Sequence, residues 1–428
     1  MRLPKIIRAI TLTLLVSGCN VVDPSTLPAS QGIPATVAIG DQPQTQAPYT
    51  APTFSAQSCP IPPGSPDLPD LNDPHTWAAD ILAYLNAGGF VSSLLDHVQT
   101  LNSIGPSAKV GENLDLNGDG FEDLALILIQ TPSELSPLPS GSLLIFVCAE
   151  EVFRAAYVTS PASEAGQPKL QAARDFTGDG HPELFTLWES CGAHTCFAQA
   201  EILKWAGSGF ENLWQGRSDD LPSPEIELQG PLANGSTSIS ITARGIGSAG
   251  AGPYREIRRT WTWHGESGQF EVSEETLADP KYRIHVLHDA DLAALEGDYE
   301  AAAIGYRRVM EDGTLDDWSS GEDGRAALGA YAAYRQIVID VRYGNTADAE
   351  AGMLFLQAAY PPESPQHAYV DLAGSFREAY QISGDLGEAC LAAQSYAHSN
   401  PEAVLEPLYY GYANRTYLAA DICPFDSR

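Results

Sequence analysis

Two nine-residue acidic segments sit sixty residues apart and match almost position for position. The first is Asp115-Leu116-Asn117-Gly118-Asp119-Gly120-Phe121-Glu122-Asp123, and the apolar run Leu124 to Ile129 follows it. The second is Asp175-Phe176-Thr177-Gly178-Asp179-Gly180-His181-Pro182-Glu183, leading into Leu184 to Trp188. Each run reads as a buried strand, so each acidic segment must be a tight turn delivering the chain into a sheet. Oxygen-bearing side chains at the first, third, fifth and ninth positions, with Gly at the sixth, can wrap a hard cation that takes 6–8 oxygens. Calcium fits that donor set best. The same residues also build an Asx-rich turn that holds no ion, and the sequence leaves that alternative open.

An EF-hand needs flanking helices and a bidentate Glu at position 12, but Leu126 and Thr186 stand there and the flanks are β-rich. The turns instead resemble those of the FG-GAP and VCBS repeats of integrin-type propellers, in which Asp-x-Asn-x-Asp-Gly-x-x-Asp joins two strands of a blade. That resemblance implies Asp115, Asn117, Asp119 and Asp123 as side-chain ligands, with the Phe121 carbonyl completing the shell. In the second turn it implies Asp175, Thr177, Asp179 and Glu183, where Thr177 replaces the Asn and Glu183 the final Asp, which weakens the site.

From Lys109 to Glu275 the chain alternates β-type runs with Gly, Pro and Asn, as in Leu143 to Val147, Ala200 to Trp205, Thr237 to Thr242 and Arg259 to Trp263. Three blade-like units can be drawn, the third holding Asn234-Gly235 where the others hold acid. Closed propellers typically need four to eight blades, so the expectation is an incomplete, propeller-derived sheet assembly. Before it, Trp77, Ile81, Leu82 and Leu85, then Phe90, Leu94, Leu95, Val98 and Leu101, fall at helical spacing and predict a hairpin.

After about Asp289 the period becomes helical. Leu295-Glu296-Gly297-Asp298-Tyr299-Glu300-Ala301-Ala302, and Tyr380 to Ala389 leading to Asn400-Pro401, resemble tetratricopeptide repeats, with a weaker match around Tyr343-Gly344-Asn345. The resemblance implies stacked helix pairs offering a concave face to a protein or peptide. A plain helical bundle is the alternative. The expected organisation is α+β and multidomain: 1–18 signal, 19–70 tether, 71–104 helical hairpin, 105–280 β-rich domain and 281–428 α-helical domain.

Arg2, Lys5 and Arg8 precede the apolar run Ile10 to Val16, a secretory signal pattern. Its end, Leu15-Val16-Ser17-Gly18-Cys19, resembles the lipobox of bacterial lipoproteins, which implies cleavage before Cys19 and lipid attachment to its sulfur, with an extracytoplasmic, membrane-anchored location. The Pro/Ser/Thr-rich stretch from Asn20 to Pro66 carries no Lys or Arg and reads as a disordered tether. With 23 basic and 55 acidic residues, a formal charge of −32, the chain has no electrostatic footprint for nucleic acid.

Six cysteines remain besides Cys19, an even number that suits disulfides in an exported chain. Cys191 and Cys196 flank a turn and are expected to staple a hairpin, the competing reading being a metal site with His194. Cys390 and Cys423 fall on neighbouring predicted helices, which suggests their pairing and leaves Cys59 with Cys148, although six cysteines allow fifteen connectivities.

Catalytic motifs are missing: no Gly-x-Ser-x-Gly, His-Glu-x-x-His, phosphate loop or dinucleotide fingerprint occurs. His285, His288 and Asp291 share a helical spacing that a transition metal can use, against the simpler reading that Asp289 caps a helix. Gly245 to Gly252 reads as a flexible β connection. The expectation is a binding or scaffold protein, with a surface hydrolase of unrecognised site as the alternative.

Overall fold

The computed structural model describes residues 56–101, 114–130, 140–160, 166–318 and 322–423. The signal segment, Cys19 and the tether up to residue 55 lie outside the described residues. Among those described, no helix is long and apolar enough to cross a membrane. The architecture is α+β, with antiparallel sheets in the N-terminal half and helices in the C-terminal half.

Helices α1 (Trp77–Asn86) and α2 (Val91–Leu101) form the entry hairpin. Three open sheets follow: β1 (Leu124–Gln130), β2 (Ser140–Ala149) and β3 (Val152–Val158); then β4 (Gln167–Arg174), β5 (Glu183–Cys191), β6 (Cys196–Trp205) and β7 (Phe210–Asn212); then β8 (Pro224–Gln229), β9 (Ser238–Ala243), β10 (Ile257–His264) and β11 (Gln269–Leu277). Alternation along each central strand sends successive residues to opposite faces, and both faces are apolar. Leu124, Leu126, Leu144 and Phe146 pack on Trp77, Ile81, Leu85, Leu94 and Val98 of the hairpin. Ala125, Ile127, Leu143 and Ile145 meet Leu184, Trp188 and Leu203 of the second sheet. That sheet's other face, with Phe185, Leu187, Ala200 and Ile202, meets Ile239, Ile241, Trp261 and Phe270 of the third. The hairpin and sheets are therefore stacked in chain order. Phe90, expected on the buried face of the hairpin, is instead 58% exposed. It precedes α2, just after the Gly88-Gly89 turn, where the chain has not yet entered the helix.

The expected tether is ordered further upstream than its composition implies. Gln57 exchanges backbone hydrogen bonds with the first acidic turn, donating to the Gly120 carbonyl and accepting from the Glu122 amide. Cys59 is bridged to Cys148 on β2, and Ile61 and Leu71 pack on the hairpin core. A disulfide and an apolar core thus recruit a Pro-rich segment that could not fold alone.

The helical half consists of α3 (Arg283–Glu296), α4 (Tyr299–Glu311), α5 (Glu322–Arg342), α6 (Thr346–Ala359), α7 (Ala368–Ser383), α8 (Leu386–Ser399) and the single turn α9 (Pro401–Val404). Gly297, Gly344 and Gly384, all at positive φ, close the first helix of each pair. The next residue opens the second: Asp298 accepts from the Ala301 amide and Asp385 from the Glu388 amide, while Asn345 makes no such side-chain bond. Cys390 of α8 is bridged to Cys423, pinning the C-terminal segment to the last pair.

The glycine run 245–252 is not a free connection. Its distal part is zipped to the C-terminal segment: the Tyr412 amide donates to the Gly250 carbonyl, the Ala413 amide to Ala251, and Asn414 Nδ2 to Ala251 and Pro253. Gly252 has φ +80° and faces the Tyr410 carbonyl so closely that a Cβ would overlap it. Glycine is needed there for contact as well as for conformation.

Candidate functional site

Both acidic turns fold by the same local chemistry. In the first, one Asp115 carboxylate oxygen accepts from the amides of Gly118 (2.7 Å) and Asp119 (3.0 Å) and the other from Gly120 (2.8 Å). Asp175 does the same for Gly178 (2.6 Å), Asp179 (3.2 Å) and Gly180 (2.8 Å). The ninth residue ties the turn to its start: Asp123 accepts from the amides of Leu116 and Asn117, and Glu183 from Phe176 and Thr177. The turns also line up in space. A Cβ on Gly118 would meet the His181 ring, and one on Gly178 would meet the backbone of Asn234, Gly235 and Ser236. The third unit's turn thus occupies the place the sequence pattern assigned it.

Their ligand-type oxygens differ. In the second turn Asp175, Asp179 and Glu183 offer carboxylate oxygens all within 4.8 Å of one another. Lys204, on β6, reaches into that group. Its ammonium lies 3.2 Å from Thr177 Oγ1 and 3.1 Å from Glu183 Oε1, and it is ion-paired with Asp179. The third, fifth and ninth positions of the turn therefore converge on an internal cation. Burial works against charge on Lys204, but Asp179 and Glu183 outweigh it and its pKa is raised. Burial raises that of Glu183, which is 0% exposed, while Asp179, held by Lys204 against its own partial burial, is lowered.

Strand register locates the counterpart in the first sheet. Leu184 pairs with Leu203 and Leu124 with Phe146, so the residue matching Lys204 is Val147. The first turn has no lysine in that place. Asp115, Asp119 and Asp123 are not among the groups that converge within 4.8 Å. Asn117 Nδ2 donates to Asp119 (3.2 Å) and to the Cys148 carbonyl (2.9 Å), and the Phe121 amide donates to Asp119. Asp123 is 3% exposed, receives a third backbone bond from Cys148 (2.8 Å), and burial still pushes its pKa up to about 7. A buried carboxylate supplied only with neutral donors is one that an added cation stabilises.

Cys191 and Cys196 are joined as a disulfide, which removes the thiolates required for a metal site with His194. The histidine group likewise does not assemble. The helix α3 begins at Arg283, so Asp289 lies inside it and pairs with Arg255 (2.5 Å) rather than capping. His285 donates to the Pro253 carbonyl (3.2 Å), and Asp291 accepts from the hydroxyls of Tyr306 and Tyr417, both at 2.6 Å. His288 is half-buried, with its Nε2 inaccessible and without a partner, and burial, then His285, Arg415 and Arg255, lower its pKa to about 3. Because the folded value lies below the ordinary 6.5, the stability owed to a neutral ring is intact above that pH and is lost as pH falls toward 3. Replacing His288 by Leu is expected to remove about 3 kcal/mol of acid destabilisation by pH 4, read from urea unfolding across pH. Parallel profiles for the two proteins would refute it.

A cleft of about 570 Å³ opens where the glycine run meets the C-terminal segment. Gly250, Gly252 and Gly411 contribute backbone, Pro365 and Pro407 apolar edges, and Trp318, Tyr409 and Tyr410 aromatic surface. Its polar groups are the Gln366 amide, the Glu406 carboxylate, the hydroxyls of Tyr409 and Tyr410 and the Trp318 indole N–H, and no Lys, Arg or His is among its described lining residues. Neither Lys204 nor this cleft was singled out in the sequence. Lys204 is one of five lysines in the chain, which is the one clue it offered. The chain was compared with family models, curated proteins and solved structures, and none matches.

Proposed function

We propose that this chain is an extracytoplasmic binding protein, lipid-anchored through Cys19, whose propeller-derived β part is braced by cations and whose tetratricopeptide-like helical part presents a recognition surface. The observation that carries the cation reading is the register match between the two turns. One supplies its own ammonium through Lys204; the other has Val147 in that place and takes calcium from outside. Asp115, Asn117, Asp119, Asp123 and the Phe121 carbonyl are the proposed ligands, and the ion is structural. In the second turn the oxygens of Thr177, Asp179 and Glu183 hold Lys204, so calcium there is not proposed for the native chain.

Binding is favoured over hydrolysis by the cleft's composition. Glycoside hydrolysis needs a pair of carboxyl groups across the scissile bond, and Glu406 is the one carboxylate among the described lining residues. Calcium titrated into the metal-free protein should give one binding isotherm that Asp119→Ala abolishes, and at a hundredfold excess over Kd should raise unfolding free energy by about 2.7 kcal/mol. Equal heats for the native protein and Asp119→Ala would remove the site.

A further inference from the structure

We propose that the junction cleft binds a neutral saccharide. This deepens the binding reading and is independent of calcium. The volume, about 570 Å³, falls within the range of ligand pockets, roughly 300–1,000 Å³. Gln366 is the decisive residue. It is 9% exposed, and its Oε1 is fixed by the Ser364 hydroxyl at 2.8 Å. Among the described residues nothing accepts from its Nε2, and the side chain lines the cleft. Gln366 Nε2 is not among the inaccessible, unpartnered side-chain atoms, so a ligand or water can reach it and accept from it.

The rest of the lining selects among ligand classes. Glu406 makes no ion pair among the described residues and offers only acceptors. With no basic side chain in the lining and a chain charge of −32, a phosphate, sulfate or carboxylate ligand is disfavoured. An ammonium ligand would satisfy Glu406 and the rings, but would leave the Gln366 donors to water and not to the ligand. Hydroxyl groups both donate and accept, so a sugar satisfies the amide and the carboxylate together. Trp318 and Tyr409, 45% and 55% exposed, supply aromatic surface on which the C–H face of a pyranose can stack.

The test is titration of the full chain, in EDTA, with cellotriose, maltotriose and triacetylchitotriose, and separately with tetramethylammonium. At least one trisaccharide should bind, and Trp318→Ala and Gln366→Leu should each weaken it about tenfold or more. Trp318 is 45% exposed and packs edge-on against Tyr282, so Trp318→Ala is read only after thermal unfolding shows the variant folded, and Trp318→Phe, which keeps an aromatic face, should retain binding and decides the matter if either truncation misfolds. No binding at about 10 mM, binding indifferent to Trp318→Ala, or a response to tetramethylammonium alone overturns the proposal. Slow cleavage of a bound trisaccharide would support the ligand class while refuting the non-enzymatic reading, so the two fail separately.

Discussion

Asp291→Asn is expected to lower the unfolding free energy by about 3–5 kcal/mol, because it leaves the guanidinium of Arg335 buried without a counter-charge. Both side chains are almost wholly inaccessible, and they lie 3.6 Å apart. Asparagine keeps the shape of aspartate but can accept from only one of the two hydroxyls, Tyr306 and Tyr417, that now donate to separate oxygens; its amide nitrogen would face the other as a second donor. Arg335 also donates to the Tyr331 hydroxyl (3.1 Å) and the Asp421 carbonyl (2.9 Å). The network thus fastens α3, α4 and α5 to the C-terminal segment whose residues 406–411 wall the cleft. Urea unfolding at pH 7 measures the loss. The double variant Asp291→Leu, Arg335→Met should be milder than Asp291→Asn alone, since removing both charges leaves none uncompensated. A single-variant loss under about 1 kcal/mol would mean that water reaches Arg335 and that the network is not what holds the segment.

The parts of this fold that were legible in the sequence are those whose chemistry is local. Gly297-Asp298 and Gly384-Asp385 end one helix and start the next within two residues, and Gly344-Asn345 with Tyr343 does so within three, so the local turn chemistry that carries the resemblance to tetratricopeptide repeats marked the helix pairs. The acidic turns are legible for the same reason: Asp115 and Asp175 satisfy amides three to five residues ahead of them. Cys191 and Cys196, five residues apart, flank a hairpin whose closure the pattern already required. What the sequence concealed depends on register and on distance along the chain. Lys204 reaches the second turn because β5 and β6 pair Leu184 with Leu203, a relation that a shift of one residue would reverse. The cleft requires Gly250 and Gly252 to meet Tyr410 and Gly411 across about 160 residues, and no local signal joins them. The same holds for Gln57, whose polar surroundings suggested a free tether until Cys59 and the Gly120 carbonyl claimed it. Asp289 does not cap, because α3 starts at Arg283, behind Tyr282, which makes no side-chain capping bond, and no local residue signals that start.

Lys204→Met should cost about 3–5 kcal/mol at neutral pH and make the protein calcium-dependent at a second site. Methionine fills the space of the lysine stem but leaves Glu183, wholly buried, with its Oε1 facing only the Thr177 hydroxyl (3.0 Å). Without the ammonium the Glu183 pKa, already raised by burial, rises further. A carboxylate with a raised folded pKa contributes stability that is complete below its unfolded value and lost as pH climbs through the folded one. The deficit of Lys204→Met relative to the native chain should therefore shrink below about pH 4.5, where Glu183 is protonated in both folded and unfolded states. Calcium should restore part of it at pH 7, because Asp175, Asp179 and Glu183 remain within 4.8 Å of one another and have lost their competitor. In the double variant Lys204→Met, Glu183→Gln, both the pH dependence and the calcium response should disappear. The measurement is chemical unfolding at pH 4 and pH 7, with and without calcium. An equal deficit at both pH values that calcium does not change would show that Lys204 acts through the packing of its methylenes, and the view of the two turns as one site served by different cations would fall with it.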